Sequence, residues 1–570
     1  MRIKWKKTMV ILILIVSLCI PSTFFRAAAN EATSATDDYA LTNAVKVSVK
    51  SILNEPVSEG TRIAAVIRYY NDGPRLTRVP DYEVRAKTDG GIEYNLISSK
   101  SNPVAVQPKE TVELSYMIAV DRQDPFSIAE LTWVDVDEYA SPKTEKTILS
   151  VPVASIEWKG ETASITDPQA IKPWGEPFTV SVLSTSIEYK PVSFNEQNTP
   201  QGITTILELL AVNKTDQKKK IPDFRINAKS DTRVFSAQRL EKDPIVLEPG
   251  EQRYIHYAIP AGRKDGLKSL TVLTPESFTL DEQTKIDFSI GQLSITLPAE
   301  SGRLQTSTPV QPYAWNKVIE FDPLNKVIPS QVGVSLVSLQ MHEGAGGGFK
   351  AAVAKFRLQN RSDSPIALPA FQAQLTGADG SRYLGERQSK VVDMLIPNIS
   401  YIVYYTFVLP NNEKGDNLTM DLLDGTTVAP YSLPIARLKT KVESKSPEDG
   451  TLSFYPFNVK FNSWKVEVYM GSPKEALPYS YKLKLDLDIK LQDDAVVDQI
   501  FPKMKVELVD NQGRIIGSKA LSFTDENKLV SGSQTINLDS ILFEFSDTLN
   551  IYETVETPFG QAERLVTTLH

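Results

Sequence analysis

The chain has 570 residues, too many for one ordinary domain at roughly 150 residues each. Apolar residues make up 41% and charged residues 23%, a balance that excludes wholesale disorder. The formal charge is −8, and losing a leader that carries Arg2, Lys4, Lys6, Lys7 and Arg26 makes it −13, since −8 minus 5 is −13; that sign argues against a nucleic-acid partner, which needs a basic face.

The first element is the leader. RIKWKK supplies a positive start, Val10 to Ile20 an 11-residue apolar stretch, and Ala27, Ala28 and Ala29 a small-residue cleavage site before Asn30. Residues 1–29 are therefore expected to be a secretory signal peptide, with the mature chain extracellular or in the cell envelope. The alternative is an uncleaved anchor, the one route to membrane contact. Pro21, Ser22 and Thr23 oppose it by interrupting the apolar run short of the roughly 20 residues a span needs. Cys19 is the single cysteine, and Leu18 stands where a bacterial lipobox wants Gly, Ala or Ser. Once the leader is gone no thiol remains, which excludes disulfides, thiolate catalysis and Cys-ligated zinc. Export of a cysteine-free chain of this size fits bacterial secretion. The sequons at Asn213, Asn360, Asn398 and Asn417 then carry little meaning.

Beyond the leader one pattern recurs. VPDYEVRA at 79–86 returns as IPDFRINA at 221–228, and an Asn or Asp nine residues before each Pro gives four copies: Asn71 and Pro80, Asn213 and Pro222, Asn360 and Pro369, Asp493 and Pro502. Two, four and six residues before each anchor every side chain is apolar. In the fourth copy Tyr481, Leu483 and Leu485 alternate with Lys482, Lys484 and Asp486, the period of a strand with one face on a core and one in water. Past the Pro, Gly91, Gly380 and Gly513 mark tight hairpins, followed three residues on by Tyr94, Tyr383 and Ile516. The second copy has no Gly there. Pro108, Pro249 and Pro397 precede Tyr116, Tyr257 and Tyr405 by eight residues, and Leu-Thr-apolar strands follow at 131–133, 270–272 and 418–420; the fourth copy offers only LNI at 549–551.

Short strands separated by turn signals, with no long helical spacing, predict an all-β chain of four tandem sandwiches. They are placed at 44–153, 178–297, 331–437 and 458–570. The Asn, Pro-x-aromatic, Asp-Gly-x-x-Tyr pattern resembles the immunoglobulin-like extracellular domains common in bacterial secreted proteins and lipoproteins. The resemblance implies a binding or structural role at the cell envelope. Segments near 154–177, 298–330 and 438–457, rich in Pro, Ser, Glu and Lys, are expected to be linkers.

The residue types of catalysis are sparse. His256, His342 and His570 fall in separate units or at the terminus, so neither a Ser-His-Asp set nor a multi-His metal site can readily be assembled. GAGGGF at 344–349 lacks the Gly-Lys-Ser/Thr ending of a phosphate loop and is expected to be a hairpin loop. DVDEY at 135–139 and DLD at 486–488 put paired acids on one strand face, and an exposed strand face accounts for both. The chain is thus expected to be an exported, non-catalytic, multi-domain binding or structural module with no cofactor and no metal, its partner a cell-envelope protein or a glycan. Two alternatives are a carbohydrate-binding protein using Trp158, Trp174 and Trp315, and a hydrolase that uses acids alone, such as Asp135. For the tryptophans the competing expectation is burial at junctions between units.

Overall fold

The structure is a computed structural model and describes residues 37–199, 202–298, 308–344, 347–389, 391–443, 450–470, 479–492, 495–497, 501–540 and 548–570. The leader lies outside these residues. Almost every element is a β-strand in one of several sheets, and among the described residues no helix is long and apolar enough to cross a membrane. Contacts along the chain divide it into two compact units, 1–159 with 277–287, and 160–276 with 288–570.

The first copy supplies β1 (Val45–Val57), β2 (Gly60–Asn71), β3 (Glu83–Thr88), β4 (Glu93–Ser98), β5 (Thr111–Val120), β6 (Ile128–Asp137) and β7 (Thr144–Pro152). They hydrogen-bond in the order β1-β2-β5-β4-β3-β6-β7. The second supplies β8 (Ser184–Thr199), β9 (Gly202–Asn213), β10 (Arg225–Lys229), β11 (Val234–Arg239), β12 (Gln252–Ile259), β13 (Ser269–Thr279) and β14 (Lys285–Thr296), ordered β14-β13-β10-β11-β12-β9-β8. The third supplies β15 (Val332–Gly344), β16 (Lys350–Asn360), β17 (Gln372–Thr376), β18 (Arg382–Leu384), β19 (Glu386–Arg387), β20 (Ser400–Leu409), β21 (Leu418–Asp424) and β22 (Leu433–Thr440). The fourth supplies β23 (Phe457–Met470), β24 (Tyr479–Leu491), β25 (Lys503–Val509), β26 (Ile515–Leu521), β27 (Gly532–Ser540), β28 (Thr548–Thr557) and β29 (Gly560–Leu569).

Period-two alternation sets which side chains leave water. In β24, Tyr481, Leu483, Leu485 and Leu487 are at most 1% exposed, while Lys482, Lys484 and Asp486 between them keep contact with solvent. The Leu-Thr-apolar strands behave alike, with Leu131, Leu270 and Leu418 fully buried. Each copy has its own apolar core among the described residues. In the second, Leu207, Leu209, Ile255 and Tyr257 of β9 and β12 meet Ile226, Leu270 and Ile295 of β10, β13 and β14. Fully burying each such side chain contributes about 1.5–3 kcal/mol, which makes these cores the main stabilising element.

The repeated Asn is a buried clasp. The side-chain amides of Asn71, Asn213 and Asn360 are sealed from solvent. Each Nδ2 donates to the carbonyl four residues on, at Arg75, Gln217 and Ser364 (2.7, 2.7 and 2.8 Å), and to one across the unit, at Val106, Leu247 and Leu395 (2.9, 3.2 and 3.0 Å). Each Oδ1 accepts from the N–H two residues on, at Gly73, Thr215 and Ser362. The main-chain carbonyl of each Asn accepts from Lys109, Gly250 or Asn398, the residues after the recurrent prolines, whose φ values are 61°, 72° and 60°. The Tyr eight residues past the Pro closes the core: Tyr257 and Tyr405 donate to the Phe224 and Phe371 carbonyls, while Tyr116 meets the hydroxyl of Tyr69.

A bulge that sequence patterning does not show recurs in the first hairpin of every copy. The register shifts between Val49 and Ser51, Pro191 and Ser193, Leu336 and Ser338, and Phe461 and Ser463. Residues paired just before the shift are Ile67, Leu209, Phe356 and Leu487. Four residues beyond them stand Asn71, Asn213, Asn360 and Leu491, so by this landmark the fourth copy has Leu in place of the clasp. Asp493, which its spacing to Pro502 singles out, lies outside the described residues.

The segments expected to be linkers are partly strand. Glu157–Trp158 pairs in parallel with β1, Ile171–Pro173 with β14 and Val310–Pro312 with β22. Within the second unit the third and fourth copies share a sheet, ordered β19-β20-β16-β15-β29-β28-β25-β26, with Glu343 opposite Glu563 and Gly344 opposite Ala562. Ala495–Val496 adds in parallel to β20.

Candidate functional site

The three tryptophans singled out by sequence sit in separate places. Trp158 is 5% exposed beside β1, which leaves the indole no open face for a ring to stack on. Trp174 packs edge-on against Phe194 over the second core, with ring centroids 6.0 Å apart. Trp315 packs edge-on against Tyr313 over the third. Asp137 accepts from the Tyr139 and Ala140 N–H groups, and Asp488 pairs with Lys490 at 3.0 Å. Among the described residues no group of three or more His, Cys, Asp or Glu side chains is placed to hold a metal ion.

What the fold does gather is charge on the outer faces of β9 and β16. The residue opposite the bulge serine is Glu208 in the second copy and Lys355 in the third. Both point away from their own core, and both are buried because a neighbouring copy covers that face. Ile206 and Ala258 meet Val428 and Leu433 at the first of these junctions. Ala351, Val353 and Tyr404 meet Val555 and Ala562 at the second.

At the first junction Glu208 of β9 faces His256 of β12, its register partner. His256 Nε2 lies 3.2 Å from Glu208 Oε1, and Nδ1 lies 2.8 Å from Glu241 Oε1. Burial opposes charge on this ring, but the bonds and charges of Glu208 and Glu241 outweigh it and push its pKa up to about 9. The carboxyl of Glu241 is held below its ordinary value, burial again being outweighed by His256. Ser193, at the bulge, donates to Glu208 Oε2 at 3.0 Å and not to the imidazole. The histidine is therefore a doubly bonded cation without a free lone pair, unable to activate a hydroxyl as a base. A cavity of about 80 Å³ adjoins it, lined by Tyr254, Asp322, Asp424 and Leu433 among others.

The second junction is built around Glu553 of β28. Its Oε1 lies 2.7 Å from Lys355 Nζ and its Oε2 lies 2.8 Å from Arg564 Nη2, with Lys355 and Glu553 at most 2% exposed. Lys355 Nζ also donates to the Tyr455 carbonyl and stands 4.8 Å from the Phe501 ring centroid. Burial disfavours the carboxylate, yet Lys355 and Arg564 hold it well below the usual carboxylate range, so Glu553 is ionised. His342 Nε2 comes within 3.3 Å of Glu553 Oε2, but neither ring nitrogen has hydrogen-bond geometry. Burial keeps that imidazole neutral. Such a set fixes the mutual orientation of the third and fourth copies across their shared sheet and offers no reactive group to solvent.

No family model matches the chain, and no curated protein matches it. Among solved structures, that of dimeric latent PorU from Porphyromonas gingivalis aligns over 67% of this chain at 10% identity with a TM-score of 0.13, an overlap too slight to support an argument. The chain spans about a third (34%) of the length of that one.

Proposed function

We propose that the chain is an exported, non-catalytic protein of the cell surface or cell envelope, a multi-domain binding or structural module built from four immunoglobulin-like β-sandwiches. Its partner is a cell-envelope protein or a glycan, and the leader directs its export. The observation that carries the reading is the junction of the third and fourth copies, where a shared sheet is locked by the sealed Lys355–Glu553 pair with Arg564 at its rim. Burying two opposite charges is costly unless geometry is held, so the arrangement favours a fixed orientation between copies over loose tethering. Holding surfaces at a set orientation is what a scaffold or display module requires.

Fractionation of cells expressing the full chain, followed by intact-mass measurement, tests this. A species beginning near Asn30 outside the cytoplasm is expected. Recovery in the cytoplasm with residues 1–29 retained overturns it, and a diacylglyceryl mass on Cys19 replaces soluble export by lipid anchoring.

A further inference from the structure

In three copies the strand that follows the hairpin after Pro-x-aromatic changes sheets and closes the seam between them. In the first copy β4 leaves β3 after Leu96, and Ile97 and Ser98 pair with Met117 and Tyr116 of β5. In the second, Gln238 and Arg239 of β11 pair with Ala258 and Tyr257 of β12. In the third, β18 pairs with β17 while Glu386 and Arg387 of β19 pair with Thr406 and Tyr405 of β20. Counted from Tyr94, Phe235 and Tyr383, the crossing residues come three and four positions on. From Ile516 the same count gives Lys519 and Ala520. Counted from the bulge, the receiving residues in the fourth copy are Thr535 and Gln534, opposite Lys484 and Leu485.

The fourth copy does not make this closure among the described residues. Lys519 and Ala520 stay paired with Val506 and Lys505 of β25, and the ladder continues to Leu521 opposite Met504. β26 and β27 each end their own sheet; they approach each other along part of their length with no ladder between them. Between them lies a groove of about 620 Å³, and Lys519, Ala520, Gln534 and Thr535, the four residues that would meet in a closed seam, all line it.

We propose that this open seam is a strand-addition site that takes an extended segment of a partner polypeptide. Three considerations select that occupant. Rows of edge N–H and C=O groups are satisfied by another extended backbone, and in the sister copies a strand of this chain does so. β27 reads GSQTINLDS, without the Lys, Arg or Pro that commonly guard an edge. The wall combines Leu521, Leu529 and Ile536 with Asp525 and Glu526 against the single cation Lys519. It therefore suits a segment with alternate apolar side chains and a basic residue. This inference rests on the reading of the chain as a binding module and names its partner class.

The test uses the full mature chain and a fluorescein-labelled peptide of alternating valine and threonine ending in lysine. Anisotropy should show saturable binding, and hydrogen exchange should slow at 515–521 and 532–540. Ala520→Trp, at an exposed position, should fill the groove and weaken binding about tenfold or more, equivalent to about 1.4 kcal/mol. Ser98→Trp, at a closed seam, should leave binding unchanged. Absence of binding by the parent chain, equal binding by Ala520→Trp, or amides of 532–540 fully protected in the free chain each overturn the proposal. Self-association that Ala520→Trp abolishes overturns the assigned occupant in favour of a second copy of this chain. None of these outcomes bears on export, which the fractionation decides separately.

Discussion

Glu553→Gln probes the junction of the third and fourth copies most sharply. The carboxylate is 1% exposed, and Lys355, at 2%, also donates to the Tyr455 carbonyl and faces the Phe501 ring. Glutamine keeps the shape and one acceptor but removes the charge, leaving Lys355, whose pKa burial already lowers, without its opposite charge in a sealed site. Breaking a buried pair from one side costs about 3–5 kcal/mol. For a body of roughly 150–250 residues each kcal/mol is worth roughly 2–4 °C, so the transition carrying these copies should fall by roughly 6–20 °C. Replacing both partners, Lys355→Met with Glu553→Met, should recover most of the loss, because Arg564 is 18% exposed and can turn to water. Scanning calorimetry and urea unfolding of the singles and the double give the coupling energy. A loss below about 1 kcal/mol for Glu553→Gln, the level of an exposed pair, refutes the reasoning.

The pKa of His256 is raised from 6.5 to about 9, so its contribution is complete below pH 6.5 and lost as pH rises through about 9. That shift corresponds to roughly 3 kcal/mol, which urea titrations from pH 6 to 10 should show in the parent chain and not in His256→Gln. Lys109 and Asn398 hold left-handed φ values where the second copy has Gly250; Lys109→Gly should stabilise by about 0.5–1 kcal/mol, and Gly250→Ala should cost about 1–2 kcal/mol from backbone strain alone, both read from denaturant midpoints. A Cβ on Gly250 meets nothing within 4 Å, so strain is the only cause at work. Asn213→Ala removes three Nδ2 donations and two Oδ1 acceptances from a buried site, and thermal unfolding should show a loss of roughly 2–4 kcal/mol.

Much of the strand content was legible because burial on one face imposes period two, as Tyr481 to Leu487 show. The anchor Asn was legible as a spacing but not as a clasp, since its partners Val106, Leu247 and Leu395 lie 35, 34 and 35 residues away. The bulge was invisible because one extra residue leaves the local pattern intact on both sides. That same bulge moves the fourth anchor from Asp493 to Leu491. The junction charges carried a signal that went unread. Outward positions of β9 and β16 hold apolar Ile206, Ala351 and Val353 beside Glu208 and Lys355, whereas those of β24 hold Lys482, Lys484 and Asp486. An outward face that is apolar has to be covered, and a charge on it has to be paired.

The mature chain expected from the sequence has no cysteine, so spin labels can be placed on it without competing thiols. Ala378→Cys in the third copy and Lys528→Cys in the fourth are exposed positions on the two sides of the locked junction. Pulsed electron–electron distance measurement on this doubly labelled chain asks directly whether the copies are held in one orientation. The account predicts a single narrow distance distribution that broadens when Glu553→Gln is added. A broad distribution in the otherwise unaltered chain contradicts it.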